Sequence, residues 1–419
     1  MSTALIDYGC HSFTYKLAVR LREQGVPIRY FVNGSLESPN RQSLPEWTRE
    51  DPTLVCNISC SREYGKMNLL RRLRGELEWA GECVRALVEE RPSVIVLCCV
   101  PIAAVTRIQF WARRQGIPMI YWLQDLQGSA MHNLLGAKFG FAGRVAGSLA
   151  DVWEQELLMR SQRVITIAQG HEAALPVSVR KEDRYDLLEN WANIDELPAL
   201  DPANDWSRRH GLDRTRNIVY SGTLGVKHDL EIFPKMATAF RHWADVRIVV
   251  VSSGQAADQV QGEAMRRKLT NLIVLPFQAY ADVPKVLASA AILTVSFDAS
   301  AGSFCVPSKV LSYLCAGRPI VMAIEERNPA AGTVRAAGAG VVVRPGDAGA
   351  FLGAITELLE NPERGSAMGA AARAYAERSF DLDGIAARFL RILDRAGVGA
   401  ALRAAPNAVR TKEGSIGLI

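Results

Sequence analysis

The stretch "AAILTVSFDASAGSFCVPSKVLSYLCAGRPIVMAI", residues 290–324, holds two apolar runs with a short helical pattern between them. "AAILTVSFD" (290–298) and "GRPIVMAI" (317–324) are short and continuously apolar, as strands buried on both faces are. "SKVLSYLCAG" (308–317) begins on a serine and stops on a glycine, the punctuation of a helix. Strand, helix and strand in that order make a parallel βαβ unit. Its entry loop is crowded with small residues and followed by one lysine. Pro307 suits the turn, Ser308 is expected to cap the helix by accepting an early N–H, and Lys309 adds a cation beside the first-turn amides. That combination predicts a bound anion.

The same alternation runs outward in both directions. Before residue 187 the strand patterns are "TALIDY", "IRYFVNG", "SVIVLCC", "PMIYWLQ" and "RVITIA", and the helix "FTYKLAVRLREQG" (13–25) is closed by Gly25. The Pro-, Asn- and Asp-rich segment 187–213 interrupts the pattern, which restarts with "NIVYSGTLG", "VRIVVVSSG", "LIVLPF", "AILTVSF", "PIVMAI" and "GVVVRP". Two helices follow, 362–380 and 381–397. The fold class is therefore α/β, with two doubly wound parallel-sheet (Rossmann-like) domains facing a central cleft. The expected bounds are 1–195, a linker at 196–213, a second domain at 214–378, a helix at 379–397 that crosses back to the first domain, and a flexible tail at 398–419.

At 419 residues the chain has room for two cores, and 48% apolar with 22% charged residues is ordinary for a globular protein. A net charge of +5 allows anionic ligands or an anionic membrane surface but gives no footprint for nucleic acid. The eight cysteines form no zinc-spaced set and sit mostly in apolar runs, as free thiols in a reducing cytoplasm do. The amino terminus predicts no secretory signal, and the longest apolar run, 94–105, is too short to span a bilayer. Two segments, 66–81 and 133–153, mix Lys or Arg with Leu, Phe or Trp and are candidates for an interfacial helix; the bland alternative is that they cover the sheet.

A second anion motif, "VYSGTLGVKHDLEIF" (219–233), carries Gly222, Thr223 and Lys227 between a strand and a helix. Alone it reads as a turn with a surface lysine. "VVVSSGQA" (249–256), with Gly254, repeats the small-residue theme at the next strand end. Two lysines and several helix starts on one sheet edge suit a diphosphate.

On the motifs "VPSKVLSYLCAGRP", "YSGTLGVKHDLE" and "NWAN" (190–193), the chain from Ile6 to about Leu393 resembles the retaining GT-B glycosyltransferases of family 4. It is most similar to the colanic-acid and fucosamine transferase branch. The resemblance implies retention of configuration, a nucleoside diphosphate sugar as donor (a UDP-sugar is preferred), and a lipid-linked or oligosaccharide acceptor in surface polysaccharide synthesis. It also implies a peripheral place at the cytoplasmic face of the inner membrane. Phe304 and Ser312 stand where the family has two donor-loop glutamates, and Thr223 stands for its arginine. Ser312 can offer the ribose only a neutral bond. In the first domain "MIYWLQDLQGSA" (119–130) matches the strand end where relatives carry a histidine; Gln124 holds that position and Asp125 follows. "YGCHSF" (8–13) resembles the acceptor loop, giving His11 and Ser12 to the acceptor. Asp125 is the leading catalytic carboxylate, with a capping role as its alternative. No metal or cofactor is expected, since the cleft loops lack an Asp-x-Asp pair. A sugar-nucleotide epimerase of the same fold and a non-catalytic nucleotide-sugar-binding protein are the alternatives. An NAD dehydrogenase is disfavoured by the missing Gly-x-Gly-x-x-Gly.

Overall fold

Apolar runs followed by amphipathic crossovers leave each strand no partner but a parallel one, and two parallel sheets result. The computed structural model describes residues 2–35, 51–60, 69–225, 227–298 and 307–398. The first sheet contains β1 (Thr3–Asp7), β2 (Ile28–Asn33), β3 (Val55–Ile58), β4 (Val94–Cys98), β5 (Met119–Leu123), β6 (Arg163–Thr166) and β7 (Tyr185–Leu187), in the order β3-β2-β1-β4-β5-β6-β7. The second contains β8 (Arg216–Ser221), β9 (Val246–Val251), β10 (Leu272–Leu275), β11 (Ala290–Ser296), β12 (Ile320–Ala323) and β13 (Gly340–Val343), in the order β10-β9-β8-β11-β12-β13. Every expected strand forms. β3 and β7, two short edge strands, are additions.

Both orders reverse direction at one place, between β1 and β4 and between β8 and β11. Crossovers on either side of such a switch point diverge, leaving a crevice at the carboxyl ends of the two strands. The inner strands are buried, β1, β4 and β5 along their whole length, while the edge strands β3, β7, β10 and β13 are only partly so, and each sheet is the middle of its own core.

The first unit comprises residues to Ile167, His171–Leu188 and the chain from Leu382; the second comprises Ala168–Gly170 and Glu189–Asp381. Residues 196–213, expected as a linker, pack with the second unit and form the short helix Asp205–Arg209, capped by Asn204. The helix Leu382–Arg395 lies on Ser12–Glu23, where Arg20 holds Asp383 through Nε at 2.5 Å. Its Phe389 ring sits 5.8 Å from Trp122 of β5. Gly25 takes φ 81 after the first helix, as a left-handed stop requires.

Segment 133–153 falls in a long helical element, Gln127–Arg160, that reverses at Gly140 (φ 58, ψ −129). Its limbs lie against each other on glycine. A Cβ on Gly143 would fall 1.9 Å from the Leu135 carbonyl oxygen, and one on Gly147 would fall 2.2 Å from His132 Cα. This hairpin exposes Phe141 by 79%, together with Phe139, Val145, Leu149 and Val152. It is therefore not a simple cover for the sheet. Of the other segment, residues 66–68 lie outside the described residues, as does the tail from 399; from Leu69 onward it is helical, with Arg72 paired to buried Glu76 at 2.8 Å.

Candidate functional site

In the second unit β8 ends at Ser221, and Gly222 follows with φ 139, a conformation that a side chain would strain. The position has a second reason to be glycine: a Cβ there would lie 3.0 Å from Lys309 Cε. Lys309 begins the helix Lys309–Ala316, with Tyr313 one turn on and on the same face. Tyr313 fastens that face to the end of β8, its hydroxyl accepting from Ser221 N at 2.9 Å. From below, Arg373 donates to the Cys315 and Leu197 carbonyls, both at 2.8 Å. The lysine is thus delivered to the switch point by a rigid mount.

Lys309 Nζ lies 3.2 Å from His228 Nε2 and 5.0 Å from the Tyr220 ring centroid. An ammonium can only donate, so Nε2 accepts from it, while Nδ1 lies 3.1 Å from Gly225 N and 3.3 Å from the Gly225 carbonyl. Burial, then the Lys309 and Lys227 cations, push the His228 pKa down to about 4. A neutral imidazole and an aromatic face orient the cation without neutralising it. Lys227 is exposed on the neighbouring loop, its carbonyl accepting from Asp298 N at 2.9 Å.

Of the expected donor residues, Gly222 and Lys309 are close enough that a Cβ on Gly222 would meet the lysine, and Thr223 follows in the same loop, its carbonyl accepting from Tyr220 at 2.8 Å. Gly254 (φ 95) opens the helix Gln255–Arg266 at the end of β9. Pro307 is buried before the lysine helix and Ser312 is half-buried within it. Ser308 is a correction: its backbone is already helical (φ −57, ψ −26) and its side chain caps nothing. A capping serine needs an extended backbone to turn its hydroxyl back on the first amides. Phe304 lies outside the described residues. His228 and Tyr313 were missed, because their contacts join residues far apart in the chain.

In the first unit Asp7 ends β1, wholly buried and in register with Cys98 of β4. Its carboxylate accepts from Gly9 N (3.0 Å), His11 N (2.6 Å), Thr14 Oγ1 (2.5 Å), Tyr30 Oη (2.8 Å) and His11 Nδ1 (2.8 Å). Gly9 makes the fold-back possible, since a Cβ there would strike His11 Cε1 at 1.9 Å. Burial would raise the Asp7 pKa, but His11 and these donors outweigh it and leave it lowered. For His11 burial opposes the charge and the Asp7 carboxylate prevails, raising its pKa well above the ordinary value. The raised value favours the protonated ring, an imidazolium.

His11, Gln124 and Asp125 line one cavity of about 290 Å³, together with Tyr8, Arg72 and Cys99. Ser12 opens the helix Ser12–Glu23. Two of the amides that Asp125 could have capped are taken by another residue: Gln127 N and Gly128 N, at the start of the next helix, donate to Glu154 at 3.1 and 3.0 Å. Burial pushes Glu154 up to about 7 despite those amides. Glu154 caps the helix, and exposed Asp125 faces the cavity. Glu154 was not foreseen, lying 27 residues from the amide it serves.

Residues 9–191 match the glycosyl transferase 4-like domain, and residues 215–361 match the glycosyl transferases group 1 family. HepE from Anabaena, solved with UDP and glucose, superposes with a TM-score of 0.69 at 13% identity, over 94% of this chain and 99% of that one. Sucrose-phosphate synthase from Thermosynechococcus elongatus gives 0.72 at 15% identity, over 96% and 100%. WaaG, a glycosyltransferase involved in lipopolysaccharide biosynthesis, gives 0.63 at 13%, over 94% and 100%. At these identities the structures share the fold. Among curated proteins no sequence matches.

Proposed function

Because both halves of the chain belong to glycosyltransferase families, we propose that it transfers a sugar, with retention of configuration, from a UDP-sugar to a lipid-linked or oligosaccharide acceptor in surface polysaccharide synthesis. The observation that carries this reading is the coincidence of each polar cluster with a switch point: Lys309, His228 and Gly222 beside β8 and β11, His11 and Asp7 beside β1 and β4. HepE, with UDP and glucose bound, supports the donor class; WaaG supports the pathway. Retention and the transferase branch rest on resemblance.

In the reaction the bond from the anomeric carbon to the diphosphate oxygen breaks, and a bond to the acceptor oxygen forms. Lys309, Lys227 and the amides of the lysine helix stabilise the departing diphosphate. Asp125 aligns the acceptor or receives its proton, and His11 offers a cationic N–H to an acceptor oxygen. Asp125→Asn keeps shape and removes charge, so turnover should fall at least tenfold while UDP affinity, by calorimetry, stays within twofold. Turnover near wild type would remove Asp125 from the chemistry. A thermal-shift panel with UDP, GDP and their sugars tests the donor, because only a ligand of the folded state raises the midpoint. A response to GDP and none to UDP would overturn the uridine preference.

A lipid-linked acceptor requires a protein that reaches the bilayer surface, and the hairpin tip is the element suited to it. Phe139 and Phe141 project on either side of Gly140, with Arg144 one turn beyond. Burying a phenylalanine contributes about 1.5–3 kcal/mol, and a nearby cation about 1 kcal/mol on an anionic surface. Sedimentation with anionic vesicles should show binding that weakens by about a hundredfold or more in the Phe139→Ser, Phe141→Ser double variant, and weakens in high salt. Replacing Arg71 and Arg74 should matter less, and Arg72 is a poor probe because it pairs with Glu76. Equal binding by wild type and the double variant would leave the hairpin without this role.

A further inference from the structure

Beside the proposed acceptor groups stands a thiol that the transfer reaction does not use. β4 ends at Cys98, and Cys99 follows with φ 53, a left-handed backbone that is uncommon for a cysteine. The turn swings its side chain out of the core, so that Cys99 is half-exposed and lines the 290 Å³ cavity while Cys98 stays buried. Its sulfur, the His11 ring and the Asp7 carboxylate offer atoms all within 4.8 Å of one another. They come from three places, the end of β1, the loop after it and the end of β4, which the β1–β4 register brings together. The five donors already on the Asp7 oxygens leave no room for a cation there. What remains is an order of roles: Asp7 anchors His11 through Nδ1, and Nε2 is the nitrogen left for Cys99 when no acceptor occupies the cavity.

We infer that Cys99 is a modification site: a thiolate nucleophile, beside the His11 ring that Asp7 holds and open to the cavity, that hydrogen peroxide oxidises to the sulfenic acid. A sulfur lone pair attacks one peroxide oxygen, the O–O bond breaks and an S–O bond forms. The departing hydroxide takes the Nε2 proton of the imidazolium and leaves as water. Cys99 loses two electrons and peroxide gains them. A thiolate beside a cationic histidine is the environment in which cysteines react selectively.

The charged and titratable groups around the sulfur agree with this. A hydrogen bond from Cys98 and then the His11 cation bring the Cys99 pKa down to about 7, against the opposing effects of burial and Asp7. Tyr121 of β5 is driven upward by burial and stays neutral, while Arg72 and Asp125 line the same cavity. The half-exposed comparison thiols, Cys56 and Cys60, are pushed up instead, chiefly by burial.

The test uses the full chain with limiting iodoacetamide at pH 7 and quantifies each cysteine by peptide mass spectrometry. Cys99 should be alkylated on the order of tenfold faster than Cys56 and Cys60. Its rate should rise with a midpoint near pH 7. Hydrogen peroxide followed by dimedone should tag Cys99 first. In His11→Gln, with its helical circular dichroism intact, the Cys99 rate should drop about tenfold and its midpoint should move toward the ordinary thiol value of 9.0. If that variant does not fold, the wild-type pH profile decides alone. Equal rates for the three thiols, a wild-type midpoint near 9, or no dimedone adduct at Cys99 would overturn the proposal.

Discussion

Lys309→Ala should lower affinity for UDP about tenfold to a hundredfold and leave the fold intact. The lysine's amine is oriented by His228 Nε2 at 3.2 Å and by the Tyr220 ring at 5.0 Å, so little side-chain entropy remains to be lost when a phosphate arrives. A charge-assisted contact of this kind contributes about 1.5–3 kcal/mol, which converts to that range of affinity. Lys227→Ala should weaken binding in the same direction and by less, because Lys227 is exposed and screened by water. The fold should survive because the helix is held by Tyr313 and Arg373, not by the lysine. Gly222→Ala makes a second probe, since its Cβ would press on Lys309 Cε at 3.0 Å and strain a backbone at φ 139. Titration calorimetry reads all three. Unchanged UDP affinity in both lysine variants would remove the diphosphate from this loop.

Why was so much of this region readable and so much of its neighbour not? The two sheets were legible because a strand buried on both faces has to be apolar along its length, and nearly every such run in the sequence is one. β3, "VCNI", and β7, "YDL", escaped because edge strands are half-exposed and carry polar residues. The lysine helix was legible from local punctuation, Pro307 before and Gly317 after, the latter in the expected left-handed conformation (φ 65). Ser308 was misread by the same rule, since nothing local says that the helical turn has already begun one residue earlier. His228, Tyr313 and Glu154 act across 81, 92 and 26 to 27 residues, and no pattern of spacing reports contacts of that range. Asp7 did carry a signal, an acid closing the first apolar strand, and it passed as an ordinary strand end.

That acid supports the second large effect. Asp7→Asn should destabilise the first unit by about 3 kcal/mol, the low end for breaking a buried pair, because the His11 side chain is still 41% exposed. An amide of the same shape carries no charge for His11 and turns an NH₂ toward groups that are themselves donors, among them the Thr14 and Tyr30 hydroxyls and the two loop amides. For a unit of this size the melting transition should fall by roughly 6–12 °C. The pH dependence separates this cause from simple packing loss. Asp7 has a lowered pKa, so its stabilisation is present above the ordinary carboxylate value of 3.8 and is lost as pH falls through its folded value. His11 has a raised pKa, so its share is complete below the ordinary 6.5 and is lost as pH rises through its folded value. The gap between wild type and Asp7→Asn should therefore be widest between about pH 4 and 6.5, and should narrow on both sides. Calorimetric melting of both proteins from pH 3 to 9 measures it. A gap that stays constant with pH would mean that Asp7 acts through shape and hydrogen bonds alone, and that His11 takes no charge from it.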